Sequence, residues 1–233
     1  MKKFLALALS MLMTLGLASA SLANTLYMDI FSGGEVDIEE FNETCDLSQV
    51  GIGIDIPFGD LKLGANITSS VIDDYAYDSY SSDYFDVDTA SVLLKGGFAL
   101  INDRQFRLDV TGGFFDRIIA YDNSRYYDEE DSFYSLTVGV DAKIKFNRTA
   151  WVDFSYAYGL DPRGKYINVD YYDDYEEYDS FNVDSISVMS CKLNLLLTDQ
   201  IGASIGYSKE TIGFDRFDKE TYSGLTIGAF YKF

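Results

Sequence analysis

Apolar and polar residues alternate with a period of two along most of the chain beyond residue 24. In 133–146, Tyr134, Leu136, Val138, Val140, Ala142, Ile144 and Phe146 share one phase, and Phe133, Ser135, Thr137, Gly139, Asp141, Lys143 and Lys145 share the other. Successive side chains of a strand point to opposite faces, so this segment predicts a strand with one apolar and one polar face. The same split sets Val50, Ile52, Ile54 and Ile56 against Gly51, Gly53 and Asp55. It also sets Leu225, Ile227, Ala229, Tyr231 and Phe233 against Gly224, Thr226, Gly228 and Lys232. Read through the whole chain, the pattern predicts ten strands near 25–32, 49–56, 61–72, 88–101, 105–121, 133–146, 150–160, 183–197, 201–212 and 221–233. Two of them fit less well. Segment 183–197 puts Ile186 and Val188 in the phase of Ser190, Lys192 and Asn194, which a bulge near Ser187 would repair. Segment 25–32 offers only Leu26, Met28 and Ile30 as apolar positions; without it the count falls to eight.

The connections alternate in length. Pro57–Asp60, Asn102–Arg104, Asn147–Arg148 and Thr198–Gln200 are tight turns, whereas 33–48, 73–87, 122–132, 161–182 and 213–220 are long. Short turns at one end and long loops at the other are the pattern of a closed antiparallel transmembrane β-barrel, with periplasmic turns and extracellular loops. A soluble barrel alternates too, so the placement of charge decides between them. The polar phases collect Asp55, Lys62, Lys95, Arg107, Asp109, Arg117, Asp141, Lys143, Lys145, Asp153, Lys192 and Glu210. The apolar phases carry aromatics toward the strand ends. Phe106, Phe146, Trp151, Tyr231 and Phe233 lie at the short-turn end, and Tyr121, Tyr134 and Tyr158 at the long-loop end. Two aromatic girdles around an aliphatic band are what lipid contact requires, so the apolar faces are expected outward and the charges in the lumen.

The ends of the chain agree. Lys2 and Lys3 precede an apolar run from Phe4 to Leu17, and small residues follow at Ala18-Ser19-Ala20 and Ser21-Leu22-Ala23. That is the build of a cleavable export signal, expected as 1–23, with a single barrel domain over 24–233. At the other end, Thr226, Gly228, Tyr231 and Phe233 close the chain on an aromatic residue. This ending resembles the terminal-strand signal of Gram-negative outer-membrane barrels, and the whole span 24–233 resembles the small proteins of that family. The resemblance implies an outer-membrane location, both termini periplasmic, and recognition by the barrel-assembly machinery.

Composition narrows the function. A net charge of −20 repels nucleic acid. The chain has no histidine, which removes the His-dependent triads and dyads. Ten strands with surface loops resemble the omptin proteases in outline, but that family's site needs a His beside carboxylates. No catalytic residue and no cofactor is expected. Cys45 is expected in an outer loop and Cys191 mid-strand on the lipid side, too far apart for a disulfide. Barrels of about eight strands are filled by side chains, while open channels belong to 16–18 strands. The twelve lumen charges named above are therefore expected to form an ion-pair network, given room by inward glycines such as Gly139, Gly202 and Gly228. The loops hold most of the acids, as in 73–86 and 170–179, interleaved with Tyr. Such surfaces suit an extracellular partner, and clustered carboxylates have the chemistry to hold a divalent cation. The reading is an integral outer-membrane barrel with a charged, largely occluded lumen and acidic, Tyr-rich loops, in a structural or surface-interaction role. A small cation-preferring pore is the alternative, and a soluble secreted β-barrel the third.

Overall fold

The computed structural model describes residues 25–38, 43–76, 84–123, 127–170, 175–214 and 219–233. The expected export segment lies outside them. Ten strands form one closed barrel: β1 (Thr25–Ile38), β2 (Glu43–Phe58), β3 (Leu61–Ala76), β4 (Tyr84–Asn102), β5 (Phe106–Asn123), β6 (Tyr127–Lys145), β7 (Ala150–Asp170), β8 (Tyr175–Leu196), β9 (Ile201–Phe214) and β10 (Lys219–Lys232). Each pairs antiparallel with its neighbours in sequence, and β1 pairs with both β2 and β10. The weak first strand therefore closes the seam, and the count is ten.

The short turns are set by side-chain acceptors. Asp103 accepts from the amides of Gln105 and Phe106 at 2.8 and 2.6 Å, and these donors hold its exposed carboxyl below the usual carboxylate range. Asn147 accepts from the amides of Thr149 and Ala150, both at 2.8 Å, and Thr198 from the amide of Ile201 at 2.9 Å. Such side chains mimic a backbone turn and reverse the chain in few residues. Gly59, at φ 61°, supplies the left-handed residue of the β2–β3 turn.

The outer wall is apolar. Leu136 is 65% exposed, Leu100 62% and Ile227 56%, and Leu61, Leu63, Phe98, Ile144, Ile205 and Leu225 stand out likewise. A continuous wall of this kind greatly exceeds the apolar patches that a soluble surface tolerates. Hydrocarbon is the solvent it fits. Tyr134 and Tyr158 rim the aliphatic band above, and Phe146, Tyr231 and Phe233 rim it below. Just at the upper rim the register aligns Asp116 with Tyr134 and Tyr134 with Arg163, so charge reappears where the apolar band stops. On β2, Ile54 and Ile56 share the phase of exposed Val50 yet are buried, with the partly buried Ile52, Ala65 and Ile67 packed against them.

Several expectations need correction. The connections 33–48, 122–132 and 161–182 are largely strand: β6, β7 and β8 run on through 127–132, 161–170 and 175–182, and 213–220 is strand at both ends. Bulges mark where the strands leave the membrane-height wall, at Ile72/Tyr75, Tyr134/Leu136 and Val183/Ser185. Rims of barrels favour such extra residues because they re-aim the strand. Cys45 is in β2 and buried, not in a loop. Its phase faces the lumen, while Cys191 is exposed on the outer wall. The two thiols therefore lie on opposite faces of the sheet. Trp151 is no girdle residue. It shares the phase of Asp153 and donates from Nε1 to Asp153 Oδ2 at 2.8 Å, inside the barrel. The side chain of Tyr121 lies outside the described residues.

Candidate functional site

The interior is stacked in tiers along the barrel axis. Nearest the short turns is an ionic tier, built by neighbouring strands and by strands that face each other across the bore. Lys62 on β3 lies 3.2 Å from Asp55 on β2 and 2.9 Å from Asp141 on β6. Lys95 on β4 lies 2.8 Å from the same Asp141 and donates to Ser155 on β7 at 3.0 Å. This chain of contacts ties β2, β3, β4, β6 and β7 across the interior. Arg107 holds Asp109 at 2.8 Å and donates to the carbonyl of Gly59 at 3.0 Å. Lys143 meets Asp153 at 3.3 Å, half exposed toward the short-turn mouth. Lys192 on β8 pairs with Asp29 on β1, bridging past β9 and β10.

Aromatic rings fill the same end. Trp151 meets Phe230 edge to face at 5.2 Å, and the ammonium groups of Lys143 and Lys192 stand 5.5 and 5.2 Å from the rings of Trp151 and Tyr27. The ring of Phe230 lies where a Cβ on Gly202 would be, so only glycine lets it lie flat against the wall. Above this tier, Thr68–Ser91 and Ser70–Thr89 hydroxyl pairs, each at 2.6 Å, line a band of small polar side chains.

The upper tier is apolar. Val36, Leu47, Ile72, Val87, Leu93, Phe115, Ile119, Phe133, Val183, Ile186, Ile212 and Tyr222 pack as one buried cluster, joined by Phe181, Val188 and Phe214. Most share the phase of their strand's lumen charges, and Val36 and Val183 turn inward across the bulges of β1 and β8. Phe133 meets Phe181 at 5.6 Å and Phe214 at 5.7 Å, both edge to face. Within this cluster sits Arg117, only 1% exposed. It pairs with Glu210 on β9, donates to Thr89 Oγ1 at 2.9 Å and lies 3.6 Å over the Tyr222 ring. A charge this deep is tolerable only when paired and hydrogen-bonded.

Eleven of the twelve expected lumen charges thus take part in described ion pairs. Lys145 does not: it stands exposed at the short-turn rim. Sequence reasoning missed Asp29, the partner of Lys192. Its phase, opposite Met28 and Ile30, was the signal, and the weakness of that strand hid it. The bulge of this strand falls between Val183 and Ser185, nearer the long-loop end than the expected place near Ser187, and the register from Ile186 to Leu196 is continuous. Ile186 and Val188 face inward because the interior at that height is apolar. Of the C-terminal residues, Thr226 is buried in the interior, and Tyr231 and Phe233 meet edge to face at 4.8 Å on the outer wall.

Chemically, the interior carboxylates are engaged by cations or amides, and no described histidine, cysteine and acid group converges as a metal site. The side chains of 73–86 and 167–178, which carry most loop acids, lie outside those described.

No protein-family model and no curated protein matches the chain. Solved structures do. The outer membrane protease OmpT of Escherichia coli superposes with a TM-score of 0.62 over 91% of this chain and 97% of that one, at 10% identity. The chain has the outer-membrane β-barrel fold. Looser likenesses to the same fold are Ail, the attachment invasion locus protein of Yersinia pestis (TM-score 0.44, 14% identity, 91% of this chain and 99% of that one), and the N-terminal barrel domain of Pseudomonas aeruginosa OprF (0.35, 11%, 91% and 99%). At these identities the outer-membrane barrel shared with OmpT is a likeness of backbone path alone.

Proposed function

We propose that this outer-membrane barrel is a structural or surface-interaction protein whose lumen is a plug and whose working surface is the part of its strands and loops beyond the membrane. The observation that carries the reading is the stacking of two unlike seals in one narrow bore. Ions must pass the Lys62–Asp141–Lys95 tier and then the Phe133–Phe181–Phe214 tier with its buried Arg117–Glu210 pair. The first resists because each displaced partner leaves an unpaired charge, the second because it is dry. In this reading residues 1–23 are the export signal, both termini are periplasmic, and the strand ending in Tyr231 and Phe233 is what the assembly machinery reads. No catalytic role is part of it. OmpT is named a protease, and this chain lacks any histidine for such chemistry.

Planar-bilayer recording of the refolded barrel tests the proposal. The expected trace is silent at moderate voltage. Steady cation-selective conductance would replace the plug with a pore, for which the acidic loops are the attracting vestibule.

A further inference from the structure

The wall is uneven in height. β8 is 22 residues long and β7 is 21, whereas β9, β10 and β1 are 14 each. A 22-residue strand is about 70 Å long. Tilted by about 40°, it rises about 55 Å, roughly twice the ~25 Å apolar band of such barrels. The excess lies on the long-loop side. There β8 remains paired with β7 up to Tyr175↔Asp170, and β7 with β6 up to Asp170↔Tyr127.

On its other edge β8 loses its neighbour. Pairing with β9 begins only at Val183↔Phe214. Lys219 of β10 already pairs with Gly213 of β9. Among the described residues no strand covers the outer edge of 175–181. That edge is about 23 Å of extended backbone whose alternate amides and carbonyls face away from β7.

Natural sheets shield such edges because an open edge is a template for another strand. Here the sequence selects which strand. Residues 169–181 read Val-Asp-Tyr-Tyr-Asp-Asp-Tyr-Glu-Glu-Tyr-Asp-Ser-Phe, with no lysine or arginine. Two copies meeting edge to edge would set acids against acids, which destabilises a cross-strand pair, whereas opposite charges support it. We propose that the overhanging edge of β8, residues 175–181, is a strand-addition site for an extended basic peptide segment of a partner protein. Backbone hydrogen bonds would supply affinity, and the acid-rich composition of the segment the preference for lysine and arginine. The inference rests on the surface-interaction reading above and names its partner class.

The test uses the full mature barrel in detergent micelles with a fluorescent peptide of alternating Lys and Val. Its comparators are a Glu-Val peptide and a Lys-Val peptide N-methylated at alternate amides, which keeps the charge but cannot form a ladder. Anisotropy should show saturable binding of Lys-Val, at least tenfold weaker for the methylated peptide and absent for Glu-Val. Amide hydrogen exchange should slow in 175–181 alone. Tyr178→Pro, which removes one edge amide, should weaken binding about tenfold while heat-modifiable gel migration stays normal. Glu176→Gln with Glu177→Gln and Asp179→Asn, which leaves the backbone intact, should weaken Lys-Val and admit Glu-Val. Equal binding of the methylated peptide, protection elsewhere, no binding, or dimerisation through this edge would each overturn the proposal. None of these outcomes bears on the silence of the lumen, which bilayer recording decides separately.

Discussion

Glu210→Ala lowers the unfolding free energy of the refolded barrel by about 3–5 kcal/mol, while Arg117→Leu combined with Glu210→Leu costs far less. The asymmetry comes from where the pair sits. Arg117 is 1% exposed and surrounded by Phe115, Ile119, Ile212 and Tyr222. Removing the carboxylate takes the paired charge from a guanidinium in an apolar tier and leaves it Thr89, the Tyr222 ring and the attraction of Glu220, itself held by the Tyr222 hydroxyl. Removing both charges leaves leucines among isoleucines, and replacing a buried pair by apolar groups of similar volume is often neutral or stabilising. Denaturant titration in detergent or vesicles, followed by fluorescence, measures all the variants. If the single and double substitutions cost the same small amount, the pair is hydrated and the upper tier is not dry.

Phe133→Ala costs about 3–5 kcal/mol in the same assay, as expected for an aromatic ring deleted from a packed core. Its ring joins Phe181 and Phe214, which come from the two strands that part company at the rim. Loss of the ring therefore opens the seal as well as the packing. Replacing Phe133, Phe181 and Phe214 together by serine gives intermittent conductance in a bilayer where the native barrel is silent. A cost below about 1 kcal/mol for Phe133→Ala would place that side chain in water.

How much of this was legible in the sequence depends on what each residue's phase had to compete with. Strand β6 is transparent from Tyr134 onward: Leu136 and Val140 face out and Thr137 and Asp141 face in, because over that stretch its apolar and polar sets never mix. The tight turns were equally plain, since Asp103, Asn147 and Thr198 carry their own acceptors. The upper tier was not. Leu47, Ile72, Val87, Ile119, Ile186 and Ile212 are apolar residues in the polar phase, and each looks alone like an irregularity of its own strand. Only closure of the barrel brings them to one height, where they satisfy one another. Ile186 and Val188 suggest a bulge beside them for that reason, yet the register shifts only higher up, between Val183 and Ser185. Trp151 misled in the opposite way: an aromatic near a strand end suits a girdle, yet its phase matches Asp153 and its indole N–H finds a carboxylate inside. The ion pairs of the lower tier join β3 and β4 to β6, and pairing across a bore is not encoded in spacing along the chain. The acids of the tall hairpin read as loop because acids and tyrosines crowd there, although β7 runs up to Asp170 and β8 starts at Tyr175.

The claim on which the rest depends is the orientation of the wall, and the single tryptophan makes it measurable. The native barrel, with Trp151 in the lumen, and a Val140→Trp variant carrying Trp151→Phe are refolded into vesicles of lipids brominated at several acyl depths. Bromine quenches indole only on close approach. Trp151 should keep its emission at every depth, and the tryptophan at 140 should lose most of its emission in mid-chain brominated lipid. Strong quenching of Trp151 together with full emission from position 140 would mean that the polar face meets the bilayer, and the account would be wrong.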